Sequence, residues 1–219
     1  MESKMESKME SGAEESPARV DIEKLGFTLE NCDLVFPPPE GRPQDQSPFV
    51  RENGERHYEV ALLYLGNRRV TEDPASLRLL GCTHVVNAAP AQVKTAEGLE
   101  YLEIDLDDRV ETVDMDFTRH AFHEAATFIE NAMAVPGNVV YVHCAGGVSR
   151  SASIVLAWMV IKRAMRLCEA WRLLHSARSV IGPNAQFMNA LLDQEVELLG
   201  KETMKRPLSE HQRSYTCLE

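Results

Sequence analysis

Apolar and polar positions fall into short blocks along most of this chain, and the period of the pattern changes from block to block. Glu59 to Asn67 (EVALLYLGN) is a dense apolar run closed by a Gly-Asn turn signal, which predicts a strand. Pro74 to Gly81 (PASLRLLG) begins with proline and ends just past its last apolar residue with glycine, the asymmetry of a short helix. THVVNAA predicts a second strand, and YLEIDL (Tyr101 to Leu106) a third. From Phe117 to Ala134 the residues Phe117, Ala121, Ala125, Phe128, Ile129 and Ala132 recur at helical spacing, so an amphipathic helix is expected. NVVYVHC reads as a fully buried strand, and SASIVLAWMVIK, apolar nearly all round, as a helix covered on every side. Helices over Leu167 to Ala177 and Asn184 to Leu199 follow, the second introduced by Gly182-Pro183. Strands alternating with helices predict an α/β fold: a mostly parallel central sheet flanked by helices.

The margins read differently. MESKMESKMES is a tandem repeat followed by GAEESPAR, too polar to offset the entropy of ordering, so residues 1–25 are expected to be a disordered acidic tail. Residues 26–57 read as a proline-rich extension, because FPPPEGRPQDQSPF carries five prolines that forbid helix and central strand. The folded unit is expected to span residues 58–200, and the polar residues 201–219 to form a frayed tail.

With 219 residues and 44% hydrophobic content the chain can fill one globular core. Its net charge of -11 argues against nucleic-acid binding, which rests on clustered Lys and Arg. No stretch approaches the length needed to cross a bilayer and the first residues are charged, so no membrane association and a cytoplasmic, or also nuclear, location are expected. The five cysteines are scattered with no CxxC pair, which predicts reduced thiols, with neither a disulfide framework nor a metal site. The sequence assigns no oligomeric state.

One stretch carries chemistry. In VVYVHCAGGVSRSAS a buried strand ends at His143-Cys144, and an apolar helix begins at about Arg150. At such a turn the backbone N–H groups of Ala145, Gly146, Gly147, Val148, Ser149 and Arg150 can converge on an anion, aided by the positive end of the helix. The two glycines supply the freedom that this curvature demands. The same field lowers the pKa of a thiol, so Cys144 is expected to be a thiolate nucleophile. Arg150 offers a planar fork that fits two phosphate oxygens, and Ser151 is placed to donate a hydrogen bond to the sulfur as it leaves. A lone cysteine near two glycines is ordinarily a small buried hydrophobe. Strand before, glycines within, Ser-Arg-Ser at the end and apolar helix after make this one different.

HCAGGVSRSAS resembles the HCx5RS signature of the protein tyrosine phosphatases, and most resembles the small atypical dual-specificity branch. The likeness runs from the VALLYLGN strand through THVVNAA and Ile104 to Asp108 to the SVIGPNAQF run. It implies a dual-specificity phosphatase fold and hydrolysis of phosphotyrosine, phosphoserine and phosphothreonine through a phosphocysteine, without cofactor or metal. Phosphorylated proteins are the implied partners, with kinases among them by family analogy. The resemblance also implies that His143 hydrogen-bonds and braces the loop, and that Asn184 belongs to a Pro-Asn feature of the family. Locally Asn184 is a good helix N-cap.

Expelling an alkoxide or phenoxide requires a proton donor. The acidic cluster IDLDDRVETVDMD offers several, and the family pattern Ile-x-x-x-Asp, laid on Ile104, gives the role to Asp108, with Asp107 as neighbour and fallback. The interval to Cys144 exceeds that of compact relatives. The surplus can sit in RVETVDMD, or Asp114 or Asp116 can serve instead, although both read as first-turn helix acids. Two competing functions share these residues: a phosphatase-shaped scaffold that only binds phosphopeptides, and the same chemistry on a non-protein phosphate such as a phosphoinositide. The uncharged loop residues Ala145 to Val148 favour a phosphoprotein over a polyanionic headgroup.

Overall fold

The computed structural model describes residues 32–36, 49–50, 56–57, 60–89, 95–109, 114–209 and 211–218. Strand β1 (Cys32–Phe36) comes first, followed by β2 (Phe49–Val50) and β3 (Arg56–His57), which pair as a small ribbon. β4 (Leu62–Asn67) leads through the short helices α1 (Arg69–Glu72) and α2 (Pro74–Leu79) to β5 (His84–Asn87) and β6 (Glu100–Glu103). Then come α3 (Met115–Met133), β7 (Val139–Cys144), α4 (Arg150–Arg163), α5 (Leu167–Ala177) and α6 (Ala185–Leu199).

The main sheet has the order β1-β4-β7-β5-β6, and every pairing in it is parallel except β1 with β4. β7 lies at the centre with all six residues buried. Its alternation divides the core. Val139 and Tyr141 pack with Leu62, Leu77 and Val85 on the face of α1 and α2, while Val140, Val142 and Cys144 join Ile129, Ile154 and Leu191 on the face of α3 to α6. Helix α4 is buried from Ser151 to Val160, which explains its uniform apolarity. Each large side chain there, such as Ile154, Leu156 or Trp158, contributes roughly 1.5–3 kcal/mol by leaving water. The α/β architecture with a mostly parallel, helix-flanked sheet is therefore as expected.

The element ends differ in informative ways. β4 begins at Leu62 rather than Glu59, and β6 ends at Glu103 rather than Leu106. After Ile104 donates its N–H to the Asn87 carbonyl at 2.9 Å, the chain leaves the ladder, and Ile104 and Leu106 turn into the core.

Three expectations are corrected. Residues 26–57 are more than an extension: β1 pairs antiparallel with β4, Val35 is fully buried, and Phe36 meets Trp158 edge-on at 5.5 Å. Five residues that run into prolines carry too short a period to read, and β1 becomes a strand only because β4 offers an open edge. The expected frayed tail is folded: Met204 is fully buried, and Met204 bridges Cys217 in antiparallel fashion. Finally, Cys168 and Cys217 form a disulfide, with their Cα atoms 5.4 Å apart. The sequence hides this because the two lie 49 residues apart, and only the returning tail brings them together. Cys168 and Cys217 are therefore not the reduced thiols expected. Residues 1–25, expected to be disordered, lie outside the described residues, as do all five prolines of the extension after Phe36.

Among the described residues no helix is long and apolar enough to cross a membrane.

Candidate active site

The parallel register sets the carboxyl ends of β4, β5 and β7 side by side, with Asn67 opposite Cys144 and Asn87 opposite His143. Ligands of such sheets bind at this edge. Cys144 ends β7 there, 2% exposed, and α4 starts at Arg150.

The turn between them depends on one glycine. Gly147 has φ +68°, and a Cβ on it would stand 2.6 Å from both the carbonyl carbon and the oxygen of Gly66. Only glycine can therefore lie so close to β4 while its N–H points back at the Cys144 Sγ, 3.2 Å away. Gly146 has no such requirement, since its φ is not positive and a Cβ would find only ordinary contact. The curvature credited to both glycines in the sequence belongs to Gly147.

Burial pushes the Cys144 thiol up, but it is outweighed. The Ser151 hydroxyl, 3.2 Å from the sulfur, and the backbone N–H groups of Ser151, Gly147 and Val148 hold the pKa below the ordinary thiol value. The other described free cysteines behave oppositely: burial, then the charge of Asp33, pushes Cys32 up to about 11, and burial pushes Cys82 higher still. Among them Cys144 alone has its thiol made more acidic than usual. Arg150 begins α4, and its buried Nε has no partner among the described residues, a donor left over for a ligand.

Ser149 occupies the N-cap of α4 but makes no side-chain cap. Its hydroxyl is diverted. It donates to Asp108 Oδ1 at 2.5 Å and accepts from the Asn184 N–H at 3.1 Å. The uncapped first turn leaves its N–H groups for an anion, as a phosphate loop requires. Asp108 follows Leu106, which is 1% exposed and pins the segment. The Asn184 amide donates to the same Oδ1 at 3.0 Å, and Arg213 Nη1 stands 3.8 Å from it. These contacts all fall on Oδ1 and anchor the carboxyl group by that oxygen.

The other acids are engaged elsewhere. Asp107 forms a fork with Arg109, Nη2 to Oδ2 at 2.7 Å, and Asp114 caps α3 by accepting from the N–H groups of Asp116 and Phe117. Asp116 lies in the first turn of α3. Asn184 caps α6, accepting from Phe187 N–H at 2.8 Å, while its amide also holds Asp108, a second duty that its local sequence does not reveal.

His143 departs from expectation. It is fully buried, its ring stacks on Tyr141 at 5.6 Å, and its hydrogen bonding is reduced to a weak, poorly aligned contact with the Cys144 backbone. Burial lowers its pKa to about 4, against a weaker upward pull from the backbone of Cys144, so the ring is neutral. By strand alternation it points to the face opposite Cys144, and it braces the loop by packing.

Two positions in the surroundings escape sequence reasoning. Arg178 is 6% exposed, and donates through Nε to the Gly147 carbonyl at 2.9 Å and through Nη1 to Asp33 at 2.6 Å. Arg213 reaches the site from the C-terminal segment, donating to Ser149 Oγ at 3.3 Å. Neither sits in a motif, and Asp33 to Arg178 spans 145 residues.

Comparison with known proteins agrees with this geometry. Residues 63–197 match the family model for the dual specificity phosphatase catalytic domain. Dual specificity protein phosphatase 26 of Bos taurus is 38% identical over 136 residues, covering 59% of this chain and 62% of the relative. Dual specificity protein phosphatase 13B of Homo sapiens is 38% identical over 151 residues, covering 64% of this chain and 72% of the relative. The crystal structure of human DUSP28 superposes with a TM-score of 0.56 at 28% identity, covering 63% of this chain and 90% of that one. The match spans less than two thirds of the bovine relative's length, and the family model covers β7, the loop after it and α4. On sequence, fold and the geometry at Cys144 alike, the chain belongs to the dual specificity phosphatase family.

Proposed function

We propose that this protein hydrolyses phosphate monoesters of phosphorylated proteins, on tyrosine and on serine or threonine, through a phosphocysteine. The observation that carries the reading is the set of donors converging on Cys144 Sγ, from Gly147 N–H and the Ser151 hydroxyl, at the start of a buried helix. Donors so placed lower the pKa of the thiol and favour its attacking form, and the loop's inward amides suit a phosphate.

In the first step the thiolate attacks phosphorus. The loop amides and the Arg150 guanidinium take the phosphoryl oxygens, and the bond to the leaving oxygen breaks. That oxygen receives the proton of Asp108 from Oδ2. In the second step Asp108, now a carboxylate, accepts a proton from water as the water oxygen attacks phosphorus. The P–S bond breaks, and the Ser151 hydroxyl stabilises the thiolate that departs. Inorganic phosphate leaves and the enzyme is restored.

Release of inorganic phosphate from phosphotyrosine and phosphothreonine peptides, with an acid-stable covalent phosphoenzyme and loss of both in Cys144→Ser, is the expected result. A protein that binds phosphopeptides but never releases phosphate would be a scaffold instead. Faster turnover of inositol phosphates than of either peptide would move the substrate class to a lipid headgroup.

A further inference from the structure

The family match stops at residue 197, yet the chain beyond it returns to the catalytic edge. Its base is fixed by Glu195, whose fully buried carboxylate accepts from Leu167 N–H, Thr203 N–H and the Thr203 hydroxyl. Two backbone bonds, Lys205 N–H to Thr216 carbonyl at 2.9 Å and Leu218 N–H to Thr203 carbonyl at 2.8 Å, close the segment into a loop. The Cys168–Cys217 disulfide fastens it to α5, and Tyr215 packs edge-on against Trp171 at 5.3 Å while donating to the Pro183 carbonyl. The segment is tethered on both sides of residue 213.

What it delivers there is a guanidinium. Gly182 lets the strap approach, for a Cβ at that position would meet the Arg213 carbonyl oxygen at 3.2 Å and Arg213 Cβ at 3.3 Å. Arg213 Nη1 then lies 3.3 Å from Ser149 Oγ, 3.4 Å from the Gly182 carbonyl and 3.8 Å from Asp108 Oδ1. A serine hydroxyl has one hydrogen to give and two lone pairs to fill. The Asn184 N–H and Arg213 fill the acceptor side of Ser149, which directs its hydrogen at Asp108. The positive charge beside Oδ1 acts in the same sense, fixing that oxygen as the anchored one and leaving Oδ2 to face the leaving group. Asp108 lies outside any helix or strand, so these contacts orient it.

We infer that Arg213, carried by the disulfide-fastened C-terminal strap, is a positioning residue for the Asp108 proton donor. Leaving-group protonation in this protein thus depends on a segment outside the family's catalytic domain. The inference rests on the reading of Asp108 as general acid, and the experiment separates the two.

The measurement is kcat/KM, which reports the first phosphoryl transfer and not the shared hydrolysis of the phosphocysteine, for the full chain on aryl phosphates graded from a good leaving group, nitrophenol, to a poor one, phenol. A general acid contributes about 10²–10⁴-fold where the leaving group is poor and little where it is good. Asp108→Asn tests the underlying reading: equal loss on both substrates means that Asp108 is not the acid. Given a graded loss there, Arg213→Gln is expected to lose roughly tenfold on phenyl phosphate and markedly less on nitrophenyl phosphate, with Arg213→Lys recovering part. Cys217→Ser, which cuts the tether and leaves Cys144 untouched, should show the same grading. Equal loss on both substrates in Arg213→Gln, no loss, or a change confined to KM on acidic peptides would overturn the inference. A graded Arg213→Gln beside an ungraded Cys217→Ser would overturn the role of the strap. Arg213 is 45% exposed in its side chain, so its variant stays informative even if Cys217→Ser fails to fold.

Discussion

Ser149 gives its hydroxyl hydrogen to Asp108 Oδ1 at 2.5 Å, joining the phosphate loop directly to the acid 41 residues earlier in the chain. This bond replaces the N-cap that a serine at the start of α4 ordinarily makes. Ser149→Ala is therefore expected to act in two ways. It removes a contact that orients Asp108, lowering kcat/KM on poor leaving groups by roughly tenfold. It also orphans the buried Asn184 N–H, at about 1–2 kcal/mol of stability by urea unfolding.

The Ser151 hydroxyl does most to lower the Cys144 pKa against burial. Iodoacetamide should alkylate Cys144 well before Cys32 and Cys82, both of which are pushed up by burial. The pH profile of that alkylation, followed by mass spectrometry, should move to higher pH in Ser151→Ala. Equal labelling of these three thiols would remove the case for an activated sulfur.

His143 is buried neutral, with a pKa lowered to about 4 from 6.5 by burial. Between these values the unfolded chain binds more protons than the folded one, so stability rises with pH across that window. It is complete above about 6.5, and about 3 kcal/mol is lost as the pH falls toward 4. Chemical unfolding at a series of pH values should show this slope, and His143→Gln should flatten it.

Gly147→Ala places a methyl group against the Gly66 backbone at a positive φ, and both strains resist relief because the obstacle is main chain. The expected cost is about 1–3 kcal/mol. Turnover should fall much further than stability, because the N–H that meets the Cys144 sulfur must move. Gly146→Ala, with open geometry, should do neither, as thermal melts and nitrophenyl phosphate turnover would show.

Arg178 links the Gly147 carbonyl to Asp33 on β1. Arg178→Met leaves the Asp33 carboxylate without this partner and the Gly147 carbonyl without its donor, and should cost about 3 kcal/mol. Combining it with Asp33→Leu should restore part of that stability. A chain beginning at residue 58 should be less stable than one containing β1, a direct check on where the folded unit starts.

Much of the site was legible before any coordinates because its parts are contiguous. Cys144, Gly147, Arg150 and Ser151 sit within one strand-turn-helix, where local backbone geometry alone fixes what faces what. The apolar period of α3 and the continuous apolar runs of β7 and α4 were equally readable, since each element buries enough area to mark its own extent. Asp108 needed a family pattern, as several acids of equal local merit stand beside it. The roles left to Asp107 and Asp114 became distinct only when each found its own partner.

Folding decided the remainder. Asp33, Arg178, Cys217 and Arg213 have no period and no motif, and their meaning comes from neighbours 31 to 145 residues away. A short edge strand such as β1 and a polar segment such as 203–218 are stabilised by surfaces that other elements supply, so their own composition records nothing of it. Local chemistry is written in local residues, whereas a brace between distant segments exists only once the chain has closed on itself.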